Sequence, residues 1–174
     1  MDDLTLRAFT EQDLGFLDQL STDPAALGRF EWFGFTDVHR RRRRWEQDGF
    51  VAAESTALAV VSPEGALAGI ASWRDVNRGG SAGSCFEVGL ALLPDYRGRG
   101  LGTAVQRLLV DYLFGFTTVH RLEACTDAEN LAEQKALERI GFTREGVLRQ
   151  AAFRDGAWRD LVIYALLRDD QREP

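Results

Sequence analysis

Apolar residues recur along this chain with two periods, one helical and one alternating. From Leu101 onward, Ala104, Val105, Leu108, Leu109, Tyr112 and Leu113 fall on one face at helical spacing, while Thr103, Gln106, Arg107 and Asp111 take the other. The spacing predicts a long amphipathic helix that starts near Gly100. The apolar run Cys85 to Leu93 reads as a strand leading into it. Before them, Thr5 to Ala8 reads as a strand, and Thr10 with Asp13 reads as an N-cap and acidic first turn for a helix carrying Leu14, Leu17 and Leu20 that stops before Pro24. A second helix spans Asp37 to Gln47. Ala57 to Val61 and Ala66 to Trp73 form a hairpin through Ser62-Pro63-Glu64-Gly65. Asn77 to Ser84 is a Gly/Ser-rich loop. His120 to Thr126 is strand-like, Asn130 to Ile140 is an amphipathic helix ended by Gly141, and Arg144 to Phe153 pairs with Leu161 to Leu167 through Asp155-Gly156. This order predicts one α/β domain over residues 1–174, built on a mixed, mostly antiparallel sheet.

Composition narrows the picture. With 174 residues and 45% hydrophobic content the chain can fill one core. It contains no apolar run long enough to span a membrane and no signal-like start, so a cytoplasmic location without membrane contact is expected. Cys85 and Cys125 lie in strand-like segments without metal-ligand spacing and read as reduced, buried thiols; no metal is expected. The net charge of −6 argues against nucleic acid as a partner. Against it stands His39 to Trp45, where the consecutive arginines Arg40 to Arg44 read either as a solvated helix paired to local acids or as an anchor for an anionic partner.

The chemistry concentrates where the central strand meets the long helix. The first N–H groups of a helix lack internal partners and its dipole places partial positive charge there, so such ends bind phosphates. Gly98, Gly100 and Gly102 permit positive φ and close approach, and Arg97 and Arg99 add mobile positive charge. No lysine follows the glycines as a P-loop requires, and the dinucleotide fingerprint fails because Thr103 stands where its third glycine belongs. What remains is Arg97-x-x-Gly100-x-Gly102.

That pattern resembles the signature of the GNAT superfamily, acyl-CoA-dependent N-acyltransferases with Gln or Arg, then Gly, then Gly or Ala at this spacing. The resemblance implies a GNAT fold of six to seven strands flanked by about four helices. It also implies that coenzyme A lays its pyrophosphate on the amides from Arg97 through Gly98, Arg99, Gly100, Leu101 and Gly102 to Thr103. Its pantetheine arm would pair with backbone near Leu92 and Leu93, and its thioester would lie near Leu90. Asn130 is implied to bind the cofactor. The run Gly141-Phe142-x-x-Glu145-Gly146-x-Leu148-Arg149, with Asp160 ahead of the closing strand, resembles the RimJ/RimL branch, for which a homodimer is plausible.

The implied reaction is transfer of an acetyl or other short acyl group from acyl-CoA to a primary amine, borne by a small molecule or a protein N-terminus. The alternatives are a non-catalytic acyl-CoA-binding module and an enzyme that prefers succinyl-CoA, with the arginine run holding the acidic acyl group. Glu87 shares a strand face with Cys85, Gly89 and Ala91; buried on both sides, it would hold its proton to higher pH and act as the base, or else serve as a structural carboxylate paired to arginine or backbone. Asn130, Glu133 and Leu137 share one helix stripe. RimJ/RimL-type relatives often carry serine where Glu133 stands, and many GNAT enzymes carry tyrosine where Leu137 stands, to protonate the departing thiolate. Leu137 cannot do this, and Glu133 can only when protonated, which leaves Glu133, another group, solvent or nothing as the acid. Trp32, Trp73 and Phe153 read equally as an apolar wall for the acceptor and as core.

Overall fold

The computed structural model of the protein describes residues 4–79 and 84–171. Half of the stretch expected as a Gly/Ser-rich loop, residues 80–83, lies outside the described residues. The elements are β1 (Thr5–Arg7), α1 (Leu14–Thr22), α2 (Pro24–Leu27), α3 (Arg40–Asp48), β2 (Ser55–Val61), β3 (Leu67–Asp75), β4 (Cys85–Leu92), α4 (Leu101–Phe116), β5 (Arg121–Asp127), α5 (Leu131–Arg139), β6 (Thr143–Arg154) and β7 (Ala157–Leu167). The strands form one seven-stranded sheet in the order β1-β2-β3-β4-β5-β7-β6. Every pairing is antiparallel except that of β4 with β5, which the long connection through α4 makes possible. The helix the sequence did not announce is α2, a single turn started by Pro24 at its first position, too short to show a period.

Helices cover both faces of the sheet. On one face, Val105, Leu109 and Leu113 of α4 and Leu137 of α5 pack on Val60, Phe86, Leu122 and Tyr164. On the other, Leu14, Leu17 and Leu20 of α1 pack with Phe9 and Phe50 on Ala57, Ala59 and Val61. Neighbouring strand residues such as Ala59 and Val60 therefore serve opposite cores, as a period of two demands. The local signals read from the sequence hold at several ends. Asp13 accepts from the Thr10 backbone N–H at 2.7 Å and hydroxyl at 2.9 Å, and Arg7 adds an ion pair at 2.6 Å, so hydrogen bonding to Arg7 brings the Asp13 pKa down to about 2. Asp155 and Gly156, both at positive φ, close the β6–β7 hairpin. The motif that suggested the RimJ/RimL branch is architectural: Phe142 is buried, and Glu145 ion-pairs with Arg121 of β5.

Helix α4 starts at Leu101, behind Gly100, but its buried stripe is rotated from the expected one. Val105, Gln106, Leu109, Val110 and Leu113 are buried, whereas Leu108 and Tyr112 are 39% exposed. Gln106 was expected on the polar, solvent-facing side. It is buried because a partner on α5 meets it.

Gly69 sets the spacing between β3 and β4. A Cβ there would lie 2.3 Å from the Ala91 carbonyl oxygen and 3.0 Å from Leu92 Cα, both backbone atoms that cannot swing away. Gly69→Ala is therefore expected to destabilise the fold by about 2–3 kcal/mol, lowering Tm by roughly 5–10 °C in a thermal melt. Gly115→Ala, on the open side of α4 with nothing within 4 Å, should leave Tm unchanged or raise it by about 2 °C. Equal melting temperatures for the two variants would contradict the β3–β4 packing.

Candidate active site

The parallel ladder between β4 and β5 consists of Cys85 with Arg121, Phe86 with Leu122 and Glu87 with Glu123, and it goes no further. Both strands continue, β4 to Leu92 against β3 and β5 to Asp127 against β7. Beyond Glu87 their facing edges diverge. A groove of about 560 Å³ fills the wedge, walled by Val88 to Leu92 on one side and Ala124 to Thr126 on the other. Its ends are closed by the turn before α4, by the exposed side of α5, and by Leu27 to Glu31 after α2. The volume suits a small-molecule site, and the unlatched strand edges offer hydrogen-bonding backbone to an extended ligand.

Gly98, Gly100, Gly102 and Thr103 line one end of the groove. Gly98 at φ 71° and Gly100 at φ 78° adopt the left-handed conformation expected of them, whereas Gly102 lies within α4 and needs no special φ. With Gly100 as the N-cap, the first amides of α4 point outward without i−4 partners. Arg97 is not the mobile charge the sequence suggested. Arg97 Nε donates to the Leu92 carbonyl at 2.7 Å and Nη2 to the Ala26 carbonyl, so its guanidinium ties α2 to the end of β4 beneath Gly28. Burial lowers its pKa, opposed by nearby Glu31. Arg99 and Leu101 lie outside the groove, lining a separate hollow with Ser62, Glu64 and Tyr96.

Helix α5 supplies the groove's titratable wall. Asn130 is its N-cap, accepting from the Glu133 N–H at 3.3 Å and donating to Thr126 Oγ1 at 3.1 Å. Glu133 faces the groove, and its pKa is pushed up to about 7 by burial, with repulsion from Glu31 adding and a hydrogen bond from Gln106 opposing. Glu31 keeps open surface toward the groove, yet protein crowds its carboxylate. That desolvation raises its pKa against the pull of Arg154 and Arg97. Arg154 is itself buried, paired with Asp127 at the end of β5 and donating to the Phe30 carbonyl at 3.2 Å, and so fixes the segment that carries Glu31. Lys135, the chain's one lysine, and Arg139 add positive charge to the same wall.

The groove thus gathers Leu90, Leu92, Arg97, Gly98, Gly100, Gly102, Thr103, Asn130 and Glu133 from the expected set. Leu93 instead packs into the core on the α1 face. Glu87 is only partly buried, contrary to the expectation of a strand enclosed on both sides. Both its oxygens accept from Arg74, its cross-strand neighbour, at 2.9 Å, which matches the structural alternative. The three candidate acceptor aromatics do not come together. Trp32 stacks edge-on with Phe35, Trp73 leans on Tyr112 of α4, and Phe153 meets Trp158. None of the three is among the groove's walls.

The arginine helix α3 also stands apart, with Arg42 paired to Asp18, Arg43 to Asp37 and Arg44 to Asp48. Cys125 is only partly buried and reaches the groove, where burial raises its pKa. Among the described residues, no cluster of His, Cys, Asp and Glu could hold a metal ion, and no helix is long and apolar enough to cross a membrane. Sequence reasoning missed Glu31, Gln106, Lys135 and Arg154. The one available signal for Glu31 was its position as the only acid among Phe30, Trp32, Phe33 and Phe35.

Residues 3–143 match the family described as Acetyltransferase (GNAT) domain. The chain is 35% identical over 86 residues to the probable N-acetyltransferase YjcK of Bacillus subtilis, a match covering 49% of this chain and about half, 48%, of YjcK. It is 26% identical over 162 residues to spermidine N(1)-acetyltransferase of Escherichia coli, covering 90% of this chain and 82% of that one. Among solved structures, spermidine N-acetyltransferase from Vibrio cholerae in complex with CoA and spermine superimposes with a TM-score of 0.82 at 20% identity, covering 98% of each chain, a likeness of fold. With a seven-stranded sheet parted at β4 and β5, a glycine turn at the head of α4 and a family match over most of its length, the chain belongs to the GNAT acetyltransferases.

Proposed function

We propose that this protein transfers an acetyl group from acetyl-CoA to the primary amine of a small molecule, directly, with both substrates bound together. The observation that carries the reading is the end of the β4–β5 ladder at Glu87, beside the open amides of α4. The donor set fits coenzyme A. A pyrophosphate matches amides at a helix N-terminus with glycine on both sides, and the amides of a pantetheine chain match a strand edge free to pair. Lys135 and Arg139 stand on the facing wall, where they favour an anionic nucleotide. A bound acyl-CoA supplies an activated thioester carbonyl and a thiolate leaving group.

The chain's own residues then divide the work. Backbone N–H groups near Leu90, free of the β5 ladder, are available to a developing oxyanion. Glu133, holding its proton close to neutrality, is the acid for the thiolate. Leu137, where many relatives carry tyrosine, is 1% exposed and sealed in the core, so it takes no part. Glu31 faces the same groove and serves as counter-charge for an amine arriving from the side of α2. The relatives whose names specify spermidine support a cationic small-molecule acceptor in preference to a protein N-terminus. A short uncharged acyl group is favoured over succinyl because the arginine helix contributes nothing to the groove walls. The Gly141 to Gly146 run supports the RimJ/RimL-like branch.

Release of coenzyme A thiol, followed across a panel of polyamines, amino acids and aminoglycosides, is expected to identify an acceptor. With it, Glu133→Gln should lower kcat by about 100-fold and abolish a fall in kcat above about pH 7. An unchanged kcat and profile would remove Glu133 from the chemistry. Acetyl-CoA binding with no thiol release for any amine would favour the non-catalytic reading.

Glu31→Gln should raise KM for the amine about tenfold and leave KM for acetyl-CoA within about twofold. The opposite pattern would place Glu31 on the cofactor.

The raised Glu133 pKa also fixes a sign for stability. The folded chain binds this proton up to about pH 7 and the unfolded chain only to about 4.5, so the site's contribution to stability falls as pH rises through that window. In thermal melts, the loss of stability from about pH 5 to about pH 8 should be smaller in Glu133→Gln than in the parent. Equal losses would contradict the burial of this carboxyl.

A further inference from the structure

Gln106 is the one polar side chain in the buried stripe of α4, 4% exposed. Its Nε2 donates to Glu133 Oε1, while its own Oε1, equally buried, has no hydrogen-bond partner. An orphaned amide oxygen in a protein interior is costly. Water offers little relief here. The space behind the pair amounts to about 10 Å³, no more than one water, and its other walls include Leu109, Val110, Leu137, Ile140 and Phe142. Gln106 and Glu133 are the only polar side chains around it, and on its far side it shares Val88, Gly89 and Leu90 with the groove.

In this arrangement the amide offers Glu133 a donor and no acceptor. Once Glu133 carries a proton, its O–H needs an acceptor, and a half-turn of the amide about its last torsion puts the Gln106 oxygen where Nε2 now stands. The two ends of a glutamine amide have nearly the same shape, so the exchange requires no repacking. The other ionisable groups around Glu133 do not offer the same partnership. Glu31 repels it from the loop after α2. Arg97 is engaged by two carbonyls, Cys125 lies on β5, Lys135 and Arg139 are on α5 itself, and β4 presents only Val88 to Leu92.

We propose that Gln106 is a positioning residue for Glu133, whose amide turns over with the proton: its oxygen accepts from the carboxylic acid, and its Nε2 donates to the carboxylate left after the proton departs. The role in turnover rests on the acyl-transfer reading above; the pairing itself does not. In turnover the Glu133 O–H bond breaks, an S–H bond forms on the leaving thiolate, and the negative charge returned to Glu133 is met by Nε2. Solvent in the groove takes the proton that the attacking amine gives up and restores the one that Glu133 has lost. In each state Glu133 meets the end of the amide that matches its own charge, while the amide's other end faces the small apolar space.

The test uses the ligand-free protein with labelled glutamine and glutamate side chains. The Gln106 side-chain NH2 resonances are expected to move with pH at the same midpoint as the Glu133 carboxyl carbon, and to lose that dependence in Glu133→Gln. NH2 resonances that stay flat while the Glu133 carbon titrates would overturn the proposal. As a second arm, Gln106→Leu should lower kcat about tenfold and shift the pH profile, with KM for acetyl-CoA within about twofold. A variant with parental kcat and profile would again overturn it. Coincident titration in a protein that acetylates no amine would support the pairing and remove only the acyl-transfer reading, whereas turnover with a silent amide would do the reverse.

Discussion

The parting of β4 from β5 is the constraint on which the rest depends. A parallel pair normally continues its ladder until one strand ends, because each unlatched N–H and C=O forfeits a hydrogen bond. Here both strands run on for several residues with their outer edges paired and their inner edges no longer paired to each other. Two anchors hold the wedge open. Arg97 takes the Leu92 carbonyl at the end of β4, and Arg154, buried against Asp127, ties the end of β5 to the Phe30 segment. Removing Asp127 would leave the buried Arg154 uncompensated, and Arg97 is engaged by two carbonyls, so both arginines are better seen as hinge pins of the groove than as ligand contacts.

Once the wedge exists, the placement of charge follows. The α4 amides, Lys135 and Arg139 bring positive potential to the groove, and Glu31 and Glu133 bring two carboxyls to it. The two carboxylates disfavour each other's ionisation and both sit in crowded surroundings, so each holds its proton more tightly than in water. A carboxyl that keeps its proton close to neutrality is suited to give that proton to a leaving group. The Gln106 amide extends this logic one step into the core.

Much of the fold was legible because its signals are local. The α4 period, the Gly100 start, the Pro-Gly and Asp-Gly hairpins and the Asn130 cap each lie within a few residues of what they determine. The glycine turn was legible for the same reason. The failures are long-range. Gln106 reads as a surface residue until Glu133, on the next helix, makes its burial affordable. Arg97 reads as a phosphate ligand until the Ala26 and Leu92 carbonyls claim it. Glu87 reads either as a base or as a carboxylate paired to arginine or backbone until the β3–β4 register sets Arg74 beside it. Trp32, Trp73 and Phe153 could be assigned to one wall only by chemistry of type, and the topology sends them to three different neighbours. Glu133 was singled out by its departure from related sequences, and its environment is what makes that departure chemically coherent.

The central claim is that the wedge and its glycine turn receive coenzyme A, and a crystal structure of the protein with coenzyme A tests it most directly. The account predicts the diphosphate within hydrogen-bonding distance of the amides from Gly98 to Thr103, with the pantetheine amides running beside Val88 to Leu92 and the sulfur near Glu133. Coenzyme A bound elsewhere on the chain, with the groove between β4 and β5 vacant, would contradict it.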